Sequence, residues 1–219
     1  MEDRRTFIKH GLLLCAGAGG LLAVRGEAAP KKCPDGQWTM VVDSALCTGC
    51  NACMVACKLQ HNTQKGKFNT HVVEEEKGTF PHASLGFSPT LCHHCDDAPC
   101  VKACPTGASA KDPCGAVTMD WSLCNGCGAC LPACPHNARF ADTRFGNRAD
   151  KCDLCLDRIS QGLQPACVEN CASGARTFGR SDGPNEAFAG HMEKIRRHNE
   201  NDSNGAVLFC KGNTGGTQA

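Results

Sequence analysis

Sixteen of the twenty cysteines fall into four groups of four whose spacing suits metal ligation. Group I (Cys47, Cys50, Cys53, Cys57) and group III (Cys124, Cys127, Cys130, Cys134) both read C-x2-C-x2-C-x3-C, and Pro135 follows group III. Group II (Cys92, Cys95, Cys100, Cys104) reads C-x2-C-x4-C-x3-C and is followed by Pro105. Group IV (Cys152, Cys155, Cys167, Cys171) reads C-x2-C-x11-C-x3-C. Three cysteines two residues apart wrap a tight loop around three corners of an iron–sulfur cube, and the fourth thiolate comes from a different segment. Sixteen thiolates suffice for four [4Fe–4S] clusters, and the chemistry that follows is one-electron transfer.

Zinc is the main rival for such ligands, because paired C-x2-C knuckles form tetrahedral sites. Runs of three cysteines at x2 followed by one at x3 are hard to divide into separate tetrahedra, which favours iron. No C-x-x-C is followed by histidine, so covalent haem is absent, and the C-x3-C-x2-C spacing of radical enzymes does not occur. Phosphate-cradling, serine-elbow and H-E-x-x-H motifs are missing too. The reading is an electron carrier without a substrate site. A reductase using one cluster as its substrate site would need a missing ligand, and none of the sixteen is missing.

The elements that must position these cysteines repeat. Residues 43–57 and 120–134 align without a gap and agree at nine of fifteen positions: the four cysteines plus Asp43/Asp120, Leu46/Leu123, Gly49/Gly126, Ala52/Ala129 and Ala56/Ala133. Glycine lets backbone approach a cube closely, and alanine leaves room for it. Strand-like stretches, 39–43 and 116–120, precede the two repeats. After the fourth cysteine of the later groups come Pro105-Thr-Gly-Ala, Pro135-His-Asn-Ala and Ala172-Ser-Gly-Ala, where Gly107, Asn137 and Gly174 suit a left-handed turn. The unit is strand, cluster loop, short helix, turn, strand, which predicts an α+β, loop-rich fold. Spacing alone leaves the pairing of groups open. The prolines after groups II and III, against Lys58 and Ala172 after groups I and IV, suggest II with III and I with IV, one module nested inside the other.

Composition supports a small metal-stapled protein. The chain has 219 residues, eleven aromatics, no tyrosine and a formal charge of +1, which leaves no nucleic-acid footprint. A large conventional core is not expected, so the apoprotein is expected to be largely unfolded. Residues 1–28 read as a twin-arginine signal peptide: Arg4 and Arg5 precede Phe7, an apolar run of 14 residues extends from Gly11 to Val24, and small residues follow near Ala28. A membrane span needs roughly 20 residues, so this run is a signal core. Export of a folded protein to the periplasm fits a cofactor inserted in the cytoplasm, and membrane association would come through a partner subunit.

Residues 60–88 read as a surface connection with a strand at 71–75, and residues 181–219 as a polar C-terminal tail with a short apolar stretch, Ala206 to Cys210. His61, His93, His94 and His136, near cluster loops, are read as surface or packing residues. Arg139, Arg176, Lys58 and Lys102 lie near fourth cysteines, where a positive charge raises a cluster's potential; the favoured reading is solvated charge. Cys15 falls within the leader; Cys33, Cys114 and Cys210 are left over in the mature chain, with Cys33 and Cys210 the candidate pair for a disulfide.

The stretches LCTGCNACMVACK, LCHHCDDAPCVKACPTGA, LCNGCGACLPACPHNARF and KCDLCLDRISQGLQPACVENCASGARTFG resemble the four-cluster iron–sulfur subunits of the polysulfide, tetrathionate, arsenate and dimethyl-sulfoxide reductase group. The resemblance covers residues 38–180. With its leader, the chain is most similar to the exported subset that includes the ferredoxin of the cytochrome-linked nitrite reductase system. The resemblance implies two bacterial-ferredoxin-like modules, residues 38–60 plus 148–180 and residues 85–147. It implies one cube on Cys47, Cys50, Cys53 and Cys171 and a second on Cys57, Cys152, Cys155 and Cys167. A third would take Cys92, Cys95, Cys100 and Cys134, and a fourth Cys104, Cys124, Cys127 and Cys130. It further implies a relay between a polytopic quinol-interacting membrane subunit and a periplasmic cytochrome, or alternatively a molybdopterin catalytic subunit. His136 stands where the family often has tyrosine, and the tail lacks the aromatic ending of many relatives.

Overall fold

Strand β1 (Trp38–Asp43) is buried from Thr39 to Asp43 because both of its faces are covered. Met40 and Val42 point into the main core with Phe178 and Val207, while Val41 packs against Phe188, Ile195 and Cys210 on the other side. Successive side chains of a strand alternate between faces, so a strand covered on both reads as a continuous apolar run. These facts come from a computed structural model, which describes residues 37–180, 186–198 and 205–210. The segment read as a signal peptide and Cys33 lie outside the described residues. No helix among the described residues is long and apolar enough to cross a membrane.

From β1 the chain enters the group I loop and helix α1 (Ala52–His61), then a long hairpin of β2 (Thr70–Lys77) and β3 (Ser84–Leu91). Group II follows with α2 (Pro99–Lys102) and the hairpin β4 (Ser109–Lys111) and β5 (Val117–Met119). Group III leads to the hairpin β6 (Phe140–Asp142) and β7 (Arg148–Asp150), and group IV to α3 (Leu156–Ile159), α4 (Ala166–Glu169) and β8 (Arg176–Arg180). Helix α5 (Glu186–His198) and β9 (Val207–Cys210) complete the described chain. β1 is the centre of a three-stranded sheet, antiparallel to β8 and parallel to β9. The result is small, mixed and loop-rich, as an α+β dicluster fold requires.

The strands expected before the two repeats are β1 and β5, and Gly107, Asn137 and Gly174 all have positive φ. Three expectations need correction. Residues 60–88 form more than a surface connection: β2 pairs along its whole length with β3, and Thr70 at its start is buried. The polar tail contains two elements of the fold, since α5 buries Phe188 and Ile195 against β1 and β9 extends the sheet. Cys114 is disulfide-bonded, whereas Cys210 is a buried thiol on β9 outside any disulfide.

Candidate iron–sulfur centres

The aspartate shared by the two repeats starts each cysteine loop. Asp43 accepts a hydrogen bond from the Ala45 N–H, and Asp120 accepts from the Ser122 N–H and hydroxyl, so each caps the turn that leaves its strand. Gly49 and Gly126 take φ of +71° and +74°. A Cβ at Gly49 would overlap the Phe87 ring, and one at Gly126 would overlap the Gly146 carbonyl oxygen. The shared leucines have no such packing role: Leu46 and Leu123 are 42% and 52% exposed.

All sixteen grouped cysteines are thiols outside any disulfide. Cys53 and Cys57 sit one turn apart on α1, which packs against α4 carrying Cys167. Cys47, Cys50, Cys53 and Cys171 line one cavity together with Arg176. Burial raises the Cys53 thiol pKa, and Cys167, Cys171 and Cys47 are close enough to add to the rise. Cys57 is raised by burial and by Cys167 and Cys155. Burial, opposed by a backbone hydrogen bond at Ala166 and aided by Cys167, pushes Cys155 up to about 12. Cys152 is raised by burial and feels Cys57 and Cys167, and also Cys92 of group II. In the other half, Cys95 is raised by burial and by Cys92, Cys100 and Cys134. Cys130 is raised by burial, with Cys104 nearby. Cys104 is opposite in sign: its slight burial is outweighed by hydrogen bonds at Ser109, Thr106 and Ala108, which hold its pKa below the usual thiol value.

The donor set fits iron–sulfur cubes. Ten of the sixteen thiols line one cavity or belong to two apolar cores, soft sulfur ligands of the kind iron–sulfur clusters take. Buried thiols of raised pKa give up their protons when metal binds, so loading the sites releases protons. Gly49 and Gly126 keep side-chain volume out of the loops. Two buried guanidinium atoms, Arg139 Nε and Arg176 Nη1, find no acceptor in the protein.

The basic residues divide. Lys58 donates to the carbonyls of Thr63, Gln64 and Lys67, holding the turn after α1, and Lys102 pairs with exposed Asp97. Neither reaches a described cysteine by any contact seen here. Arg139 and Arg176, in contrast to the solvated reading, are 5% and 2% exposed. Arg139 Nη2 donates to Cys100 Sγ at 3.0 Å and to Ser109 Oγ at 2.7 Å. Arg176 Nη2 donates to Thr70 Oγ1 at 2.7 Å, and the guanidinium acts electrostatically on Cys167. Sequence reasoning undervalued both, although one signal was present: each stands five residues after the fourth cysteine of its group.

The histidines pack around the sulfurs. His61 Nε2 lies 3.1 Å from Cys155 Sγ and 3.7 Å from Asp153, a trio close enough to hold a metal were Cys155 not part of group IV. His94 is fully buried, with Nδ1 accepting from the Val117 N–H, and burial lowers its pKa, so it is neutral. His93 stacks on His136 at 3.5 Å between ring centroids, which gives position 136 an aromatic packing role without tyrosine.

Comparison with known proteins agrees with this chemistry. Two family models described as 4Fe-4S dicluster domain match residues 46–110 and 83–181. The chain is 34% identical to a tetrathionate reductase subunit of Salmonella typhimurium, over 89% of this chain and 80% of that protein. It is 42% identical to protein NrfC of Escherichia coli, over 85% and 84%. It is 40% identical to the thiosulfate reductase electron transfer subunit PhsB of Salmonella typhi, over 67% and 77%. Two dicluster matches imply four [4Fe–4S] clusters.

Proposed function

The chain belongs to the 4Fe–4S dicluster family of reductase electron-transfer subunits, and from that membership we propose a specific relay: four cubes in a row, each on cysteines from two segments. The cubes, when bound, supply one-electron outer-sphere transfer. Like its relatives, the chain is an electron-transfer subunit of a reductase complex and not the catalytic one.

The ligand sets in this reading are Cys47, Cys50, Cys53, Cys171; Cys57, Cys152, Cys155, Cys167; Cys92, Cys95, Cys100, Cys134; and Cys104, Cys124, Cys127, Cys130. The observation that carries it is the chain of cysteine neighbours. Cys47, Cys50, Cys53 and Cys171 line one cavity; Cys53 feels the charge of Cys167, Cys171 and Cys47, Cys57 that of Cys167 and Cys155, Cys152 that of Cys57, Cys167 and Cys92, Cys95 that of Cys92, Cys100 and Cys134, and Cys130 that of Cys104. The I–IV and II–III modules are then nested and meet at Cys152 and Cys92. The outer sets each contain an exposed cysteine, Cys50 at one end and Cys127 at the other, which provide an entry and an exit for electrons.

The full reading is a periplasmic relay, exported by the twin-arginine route, between a polytopic quinol-interacting membrane subunit and a periplasmic cytochrome or molybdopterin catalytic subunit. Anaerobic purification with partners tests it. A quinol protein with multihaem cytochromes supports the first form and a molybdopterin subunit the second; recovery in the cytoplasm without either overturns both. Cys→Ser variants test the ligand sets. Cys47→Ser and Cys171→Ser should abolish the same cluster signal by electron paramagnetic resonance, and Cys57→Ser a different one. Loss of different signals from the first two variants would dissolve the nested pairing.

A further inference from the structure

Arg139 and Arg176 hold equivalent places in the two halves of the molecule. Each follows the fourth cysteine of its group by five residues, after Pro135-His-Asn-Ala in one case and Ala172-Ser-Gly-Ala in the other. The turn before each arginine is left-handed, at Asn137 and Gly174. Each is anchored by one hydroxyl: Ser109 for Arg139, Thr70 for Arg176. Ser109 is itself five residues after Cys104, so the anchor of Arg139 is its own counterpart in group II.

Neither guanidinium is neutralised by a carboxylate in any contact seen here; their partners are sulfur and hydroxyl. Arg139 donates to Cys100 and acts electrostatically on Cys130, which shares a core with Cys100. Arg176 acts electrostatically on Cys167, Cys53 and Cys152, and lines the cavity formed by Cys47, Cys50, Cys53 and Cys171. A buried cation is stable only when anionic groups surround it. Each arginine keeps one N–H, Arg139 Nε or Arg176 Nη1, for which the protein supplies no acceptor and a cluster sulfide would.

We propose that Arg139 and Arg176 are shared electrostatic bridges, each placing one guanidinium between the two cubes of a module and raising the reduction potential of both. The proposal rests on the ligand sets given above, in which Cys100 and Cys130 belong to different cubes, as do Cys53 and Cys167. A reduced cube carries one more negative charge than an oxidised one, so a fixed cation nearby favours the reduced form. A cation between two cubes favours an electron on either side. The hydrogen bond from Arg139 to the Cys100 sulfur acts in the same direction.

Redox titration monitored by electron paramagnetic resonance tests this on the full chain isolated anaerobically with its clusters. Arg176→Met should lower two of the four potentials at least tenfold in the reduction equilibrium, which is about 59 mV for a one-electron couple. Arg139→Met should lower the other two. Unmoved potentials at full iron content, a shift in one cube only, or one spread over all four would overturn the bridge. If a Met variant loses iron, the Gln variant, which keeps N–H donors without the charge, is read by the same criteria. The ligand sets are judged separately, by the Cys→Ser signals and by iron in the unmutated chain: stoichiometric zinc would end the reading of the sites, not merely the role of the arginines.

Discussion

Lys194 on α5 places its Nζ 2.5 Å from Asp43 Oδ2 at the end of β1. Asp43 is 1% exposed, and its other oxygen caps the turn into the group I loop. One carboxylate thus ties the first cysteine loop to the C-terminal helix. Lys194→Met leaves that buried oxygen, among the described residues, with only His191 at 3.9 Å. The variant should lose about 1–3 kcal/mol, the cost of an unsatisfied buried polar group, read as a lower denaturation midpoint with unchanged iron. An unchanged midpoint would mean that α5 docks without this contact.

Gly49 and Gly126 occupy the same place in the repeat but face different neighbours, the Phe87 side chain and the Gly146 backbone. Positive φ costs an alanine ~1–2 kcal/mol at either site. Gly126→Ala adds an overlap with backbone that cannot swing aside, so its iron content should fall further. Removing the Phe87 ring should partly rescue Gly49→Ala. Equal iron loss from both substitutions, with no rescue, would show that φ alone decides.

What was legible is local: cysteine spacing, the aspartates shared by the repeats and the left-handed turns depend on residues only a few positions apart. What escaped depends on distant partners. β9 is four residues long and gains meaning only beside β1, far upstream, so its apolar stretch looked incidental within a polar tail. β3 contains Gly86 and Pro89, residues that weaken a strand by composition, yet it pairs with all of β2. Arg139 and Arg176 were discounted by the rule that arginine is mostly exposed. The rule fails here because sulfur ligands from separate segments converge around each guanidinium.

Phe188 measures how far α5 belongs to the fold. It is 2% exposed, packs with Val41, Ile195 and Cys210, and lies against Gly179 of β8. Phe188→Ala should cost ~3–5 kcal/mol as a buried aromatic truncation. Hydrogen exchange should then open α5 and β9 first while the β4–β5 and β6–β7 hairpins stay protected. Uniform loss of protection would indicate a single cooperative unit instead.

Iron removal should unfold most of the chain. The main apolar core counts Cys53, Cys92, Cys152 and Cys167 among its buried members, and a second core counts Cys100 and Cys130. Without metal these cores must pack thiols against one another. Chelation after oxidative cluster breakdown should therefore abolish most far-ultraviolet circular dichroism. A native-like spectrum from iron-free protein would show that the apolar residues suffice.

The parallel pairing of β9 with β1 sets Asp43 opposite Cys210, and Ser44 Oγ donates to the Cys210 carbonyl. During translation, the strand that leads into the first cysteine loop emerges from the ribosome early and waits for almost all the remaining described chain before its neighbour exists. The short hairpins β4–β5 and β6–β7 close within a few residues of their own synthesis. The three-stranded sheet around β1 is therefore the last pairing that synthesis completes. A ribosome that stops before codon 207 leaves a nascent chain whose first-made cysteine loop lacks the strand that borders it.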